Sequence, residues 1–234
     1  MKKIVIILVI LFCGFAARSQ VSVGYSVGYG KYDLKELKQI MPSQKEYYQN
    51  KYPELDFAIV DNFPGYVNHT LQVGYRHTFH EFGATGSFLT TGAKLSYADY
   101  SGEISIKLIA NGYRVGAYYH FYLLEAARWK WDPVSLYVGI SPAAIFSKVK
   151  SESFIRIAEE TEHDTNLLRD DNLSFTLLPE IGVRVAVLSP LSIQLSVGYD
   201  VFLGYRSVDL ADYRINWGGV RLGGGVVLFL KRKG

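Results

Sequence analysis

The stretch Leu191-Ser192-Ile193-Gln194-Leu195-Ser196-Val197-Gly198-Tyr199-Asp200-Val201-Phe202-Leu203-Gly204-Tyr205-Arg206 decides the fold. Its odd positions are Leu, Ile, Val or Tyr. Its even positions are Ser, Gln, Gly, Asp and Arg, with Phe202 alone breaking the polar set. Successive side chains of a strand point to opposite faces, so the segment has one apolar and one polar face from end to end. Strands of soluble proteins run about five or six residues, whereas a tilted strand crossing a bilayer needs about 9–11. This one is long enough to cross.

The same alternation recurs outward from it. Val21, Val23, Tyr25, Val27 and Tyr29 alternate with Ser22, Gly24, Ser26, Gly28 and Gly30. Val67 to Phe79 alternates around Asn68, Thr70, Gln72, Gly74, Arg76 and Thr78, with His69 and His77 on the apolar side. Ser87 to Tyr97 gives a third strand with Thr90, Gly92, Lys94 and Ser96 on its polar face. A fourth, Ile104 to Leu124, slips phase between Leu108 and Tyr113, and that slip beside Asn111-Gly112 predicts a β-bulge. Val134 to Phe146 is a fifth. Leu173 to Leu188 is a sixth, with Ser174, Thr176, Glu180, Gly182 and Arg184 on its polar side. The opening stretch is the seventh. Tyr213 to Leu230, shifting phase at Gly218-Gly219, is the eighth.

Connection lengths test this independently, because membrane barrels alternate short periplasmic turns with longer external loops. Starting inside, the inner turns are His80 to Ala84, Glu125 to Pro133 and Ser189-Pro190. The outer connections are Lys31 to Tyr66, Ala98 to Glu103, Lys148 to Asn172 and Ser207 to Asp212, and both long ones fall on the same side. Tyr29, Tyr97, Tyr205, Tyr213 and Trp217 then line the outer rim on the lipid face. Phe79, Phe82, Tyr119, Phe121, Trp129, Trp131 and Phe229 line the inner rim, as interfacial belts do. A soluble barrel or β-sandwich reverses this sidedness, because its apolar faces must fill the interior. The expectation is an all-β, eight-stranded antiparallel up-and-down transmembrane β-barrel with a helical first outer loop.

Residues 1–19 read as a cleaved secretory leader: Lys2 and Lys3, an apolar run from Ile4 to Phe15, and Ala17-Arg18-Ser19 before Gln20. The barrel domain is then 20–234. Removing Lys2, Lys3 and Arg18 takes the formal charge of +3 to zero, so the basic balance says nothing about nucleic acid. Cys13 is the only cysteine and lies in the leader, which excludes disulfides and thiolate metal sites from the mature chain.

Strand count, period and loop asymmetry resemble the small eight-stranded outer-membrane barrels of the OmpA and OmpX type. The cleavage site directly before Gln20 is similar to those of outer-membrane proteins of the Bacteroidota. The resemblance lies in no specific motif, and the chain ends Leu230-Lys231-Arg232-Lys233-Gly234 where many such barrels end on an aromatic. It implies a porin-like membrane protein of the bacterial outer membrane. Its partners would be outer-membrane lipid and lipopolysaccharide, the barrel-assembly machinery, and an extracellular protein or small ligand.

Counting along the strands places Arg114, Glu180, Asp200 and Arg221 near mid-height, where they are expected to form an ion-pair layer across the lumen. Arg76, Lys94, Arg184 and Arg206 also face inward, leaving six cations against two acids. An eight-stranded barrel is just wide enough for its own side chains to fill, so a plug is favoured over a conduit. The surplus charge keeps an anion or amphipathic ligand as the alternative. In the first outer loop Leu34, Leu37, Ile40 and Met41 follow Asp33 at helical spacing, Pro42 stops the run, and Ser43 with Glu46 reads as a capping box for a second helix. The loop Lys148 to Asn172 carries seven acids against four bases and lacks the spacing of a calcium loop. No P-loop, zinc pattern or His-x-Ser pairing is present, so neither catalytic residues nor cofactors are expected. The function expected is non-enzymatic, carried by the outer loops in adhesion, surface protection or partner binding.

Overall fold

A computed structural model describes residues 20–100, 102–124, 134–157, 160–188, 190–207 and 215–230. The expected leader, Trp129 and Trp131, and Tyr213 lie outside the described residues. The elements are β1 (Gln20–Tyr32), α1 (Lys35–Lys51), β2 (Ala58–Asn62), β3 (Tyr66–His77), β4 (His80–Ala98), β5 (Gly102–Leu124), β6 (Val134–Ile157), β7 (Glu160–Ala186), β8 (Leu191–Ser207) and β9 (Gly219–Leu230). Every strand but β2 pairs antiparallel with its neighbours in chain order, and β9 pairs back onto β1, with Val21 opposite Leu230 and Gly30 opposite Arg221. Eight long strands thus close an up-and-down barrel with the helix in its first long connection, as the alternation predicts. Closure leaves the wall without a free edge along its paired length.

Side chains alternate along each wall strand. In β8 Ser192, Gln194 and Asp200 are buried while Ile193, Leu195, Val197 and Tyr199 are exposed. In β1 Ser22 is buried, and Tyr25, Val27 and Tyr29 stand outside. The outer surface is therefore a continuous apolar band, with Leu195 and Leu203 each 61% exposed.

Five expectations are corrected. No bulge forms at Asn111-Gly112: the β4–β5 ladder runs unbroken from His80 opposite Phe121 to Ala98 opposite Glu103. The composition changes there because the interior itself changes. Below, the inward positions of β5 are Arg114, Tyr118, His120 and Tyr122; above, they are Ala110, Leu108 and Ile106, all in one phase. For the same reason β4 turns Leu89, Ala93 and Leu95 inward and Lys94 outward, the reverse of the expected assignment.

The expected acidic loop Lys148 to Asn172 is instead strand over its described residues, with β6 and β7 paired as far as Ile157 opposite Glu160. The first inner turn is shorter than His80 to Ala84. His77 pairs with His80, and Thr78, in the left-handed region at φ 52°, makes the reversal with Phe79, which releases Glu81 into the wall.

The first long connection holds one helix, not two. Proline removes the amide that should bond the carbonyl four residues back, which normally breaks a helix. Here Asn62 on β2 donates its side-chain amide to that carbonyl, Lys38 O, at 3.0 Å, and α1 runs on through Pro42. Ser43 donates its hydroxyl back to Gln39 O at 3.1 Å, so the capping box does not form. Leu34, in the left-handed region at φ 41°, starts α1, and Asp33 and Leu34 bond back to Gly218 and Asn216. Leu37 and Met41, four apart on one helix face, are fully buried. Short β2 pairs with β4 above the point where β3 leaves it, after a break at Phe63 (φ 47°), whose amide bonds Gly92 O.

Candidate functional site

The barrel's interior is built in tiers. At the short-turn end, Glu81 is 1% exposed and takes every donor around it. Arg184 Nη1 lies at 2.7 Å, Tyr122 Oη at 2.5 Å, Ser22 Oγ at 2.9 Å and Tyr118 Oη at 3.0 Å. Arg184 also donates from Nη2 to Gln194 Oε1 at 2.6 Å. The Arg76 guanidinium stacks 3.8 Å over the Tyr122 ring, and Phe229 faces both arginines from inside the bore. Tyr118 fits because Gly74 and Gly83, paired across β3 and β4, leave it room. A Cβ on Gly74 would lie 1.9 Å from its hydroxyl and one on Gly83 would lie 2.8 Å from its ring.

Mid-bore, Asp200 is fully buried, 3.0 Å from Arg221 and 3.8 Å from Arg114. Arg114 is held by Ser141, whose carbonyl accepts at 2.8 Å and whose hydroxyl lies at 3.1 Å. Glu180 does not join this group by direct contact; it pairs with His120 Nε2 at 2.8 Å, and the imidazole stacks between Tyr118 and Tyr137. A polar cavity of about 40 Å³ lies here, lined by Arg114, Arg221, Glu180, Gln194 and several Ser and Thr hydroxyls. That is room for a few waters.

At the long-loop end the bore turns apolar. Leu89, Leu95, Leu108, Ala110, Ile145 and Val149 meet Leu34, Leu37 and Met41 of the α1 region, with Phe57, Phe63 and Trp217 between them. Trp217 is fully buried, bonds Ser147 Oγ through Nε1 at 2.8 Å and meets Tyr32 edge-on. Gly112 is where the indole rests, since a Cβ there would lie 2.9 Å from it. Lys38 fastens the helix by donating to Tyr32 O at 2.9 Å, and burial pushes its amine below the usual lysine value, against the pull of nearby Asp33.

The expected site residues therefore divide. Arg114, Asp200 and Arg221 meet in the bore, whereas Glu180 pairs with His120. Arg76 and Arg184 face inward at the short-turn end. Lys94 and Arg206 do not. Arg206 is exposed because the β7–β8 register shifts between Phe175 and Thr176, which reverses the phase of β8 beyond Leu203.

Of the expected belts, Tyr29, Phe82, Tyr119 and Phe121 stand on the outer face, and Phe79 sits in the Thr78-Phe79 turn, partly exposed. Trp217 and Phe229 lie inside. Tyr97 leans onto Phe57 at 5.6 Å, and Tyr205 falls opposite buried Ser174 on the inward register. Glu81, His120, Tyr118, Tyr122 and Tyr137 were not expected in the bore. Strand parity carried the signal for the β5 residues, since 118, 120 and 122 share the parity of Arg114. Among the described residues, with Glu81 inside and Lys94 and Arg206 outside, four inward arginines face three carboxylates, with His120 beside them.

No protein-family model and no curated protein matches the chain. Solved structures with similar folds include Neisserial surface protein A, at 12% identity over 90% of this chain and 96% of that one, with a TM-score of 0.43. Another is the attachment invasion locus protein Ail of Yersinia pestis in complex with the heparin analogue sucrose octasulfate, at 14% identity over 91% and 97% of the two chains, with a TM-score of 0.38. Likeness this remote says nothing of ligand or partner.

Proposed function

We propose that this chain is a non-enzymatic barrel of the bacterial outer membrane that acts through the surface it presents beyond its long-loop end. Residues 1–19 act as the cleaved leader and 20–234 form the exported barrel domain. The apolar outer band supports the membrane position, since only helices and closed barrels satisfy every backbone group in lipid.

The observation that carries the external role is the filling of the bore. Among the described residues, two ion-paired tiers and an apolar plug fill the bore around a polar cavity of about 40 Å³, too little for a conduit. What remains for contact with other molecules is the outer face of α1 with exposed Tyr47, the nearby Tyr52, and the β6–β7 hairpin that stands beyond the last β8 pairing at Asn172 opposite Ser207.

Cells displaying the chain should adhere to a protein-coated surface. Tyr47→Ser with Tyr52→Ser should abolish this adherence while heat-modifiable gel migration, the mark of a folded barrel, is kept. Adherence equal to that of cells lacking the barrel would overturn the reading. N-terminal sequencing of the exported chain should begin at Gln20.

A further inference from the structure

On the outer face of β4, β5 and β6 an aromatic row gives way to lysine. Phe88 pairs with Tyr113 and Tyr113 with Phe146, and Tyr113 and Phe146 are exposed. Moving toward the long-loop end, the outward positions become Lys148 and Lys150 on β6 and Lys94 opposite Lys107 on β4 and β5. Lys94 lies six residues beyond Phe88, about 20 Å along the strand at roughly 3.3 Å per residue and less along a tilted barrel's axis. Two like charges directly opposite across a ladder repel.

Their acidic neighbours in the same row, Asp61 opposite Lys94 and Glu152 opposite Lys107, flank the pair. Among the described residues, however, none of Lys94, Lys107 and Lys150 enters an ion pair. A groove beside them is lined by Tyr66, Pro64, Thr90, Lys94, Lys107 and Asp61.

We propose that Lys94, Lys107 and Lys150 form a docking surface for the phosphate of a membrane glycolipid headgroup of the lipid A kind, its acyl chains lying down the aromatic and aliphatic wall below. This rests on the membrane reading above. Three cations on adjoining strands, with Lys94 twelve residues beyond the inner-rim ring of Phe82 and so past the roughly 9–11 residues that cross a bilayer, match a doubly charged phosphate. Flexible lysine stems let the ammonium groups reach down to it while their methylenes cover the wall.

The test uses the full chain refolded in neutral detergent, with diphosphoryl lipid A titrated and retention read by native mass spectrometry. One lipid should be retained, and K94Q/K107Q/K150Q should weaken retention at least about tenfold, given the worth of each lysine at an anionic surface. The corresponding triple Lys→Arg chain and K35Q should retain it as the parent does. Equal retention by the Gln variant overturns the proposal, as does loss of the lipid to millimolar inorganic phosphate, which would make free phosphate the ligand. Insertion into phosphatidylcholine vesicles separates the two readings. A chain that inserts but does not prefer lipid A overturns this proposal alone, and a chain that does not insert overturns the membrane reading with it.

Discussion

Between the short turns, the bore is closed by Glu81, clasped by Arg184, Ser22 and two tyrosine hydroxyls. Between the long connections, the same bore is closed by Trp217, Leu34, Leu37 and Met41 against leucines and isoleucines of the wall. One half is held by paired charge, the other by packing. Buried charge costs free energy unless it is matched, so the lower half must be satisfied group by group. The upper half needs only the right volume, and it borrows that volume from α1, whose apolar face has nowhere else to go. A membrane barrel facing lipid on its outside can use either chemistry inside, and this one uses both, changing over near Arg114.

The two halves should respond differently to damage. The largest effect is expected below: Glu81→Leu leaves Arg184 buried without its carboxylate and should cost about 3–5 kcal/mol in urea unfolding followed by tryptophan fluorescence. Replacing Arg184 by Met in the same chain should recover much of that loss. An uncorrected loss would mean that the two residues do not act as a pair.

Above, Trp217→Ala removes the largest fully buried side chain among the described residues and should cost about 3 kcal/mol, but with no partner whose removal repairs it. Gly74→Val tests how tightly the lower tier is seated. The added side chain must displace Tyr118 and should cost about 1–3 kcal/mol, seen as lost Tyr118 protection in hydrogen–deuterium exchange of the surrounding strands. The smallest effect belongs to the cap. Asn62→Leu deprives Lys38 O of its donor and should cost about 1 kcal/mol, with protease cutting appearing in α1 after Pro42 while the barrel stays intact.

Much of this wall is legible in sequence because alternation is a direct imprint of one face meeting lipid and the other the bore. Leu191 to Phe202 reads correctly residue by residue. Three features escape for physical reasons. The apolar lining of the upper bore makes Leu89, Ala93 and Leu95 look lipid-facing, since alternation gives phase but not which side is which once the interior is apolar too. Bulges leave no mark in composition, so Tyr205 and Arg206 were assigned to faces that the shift at Leu203 exchanges. Tertiary contacts overrule local rules in the first loop, where a single amide from Asn62 carries a helix through proline.

Within the ion-paired layer, Asp200 and Arg221 followed from strand parity and neighbourhood. Glu81 did not, because a two-residue turn with Thr78 in the left-handed region is rare enough that the charge beyond it read as loop.

Whether both halves together seal the bore is decided by electrical recording of the refolded full chain in a planar bilayer. A sealed bore predicts no steady conductance above that of the bare bilayer for the parent chain, with current appearing only when Glu81→Ala and Trp217→Ala are combined. Sustained open levels from the parent chain would contradict the two-part closure described here.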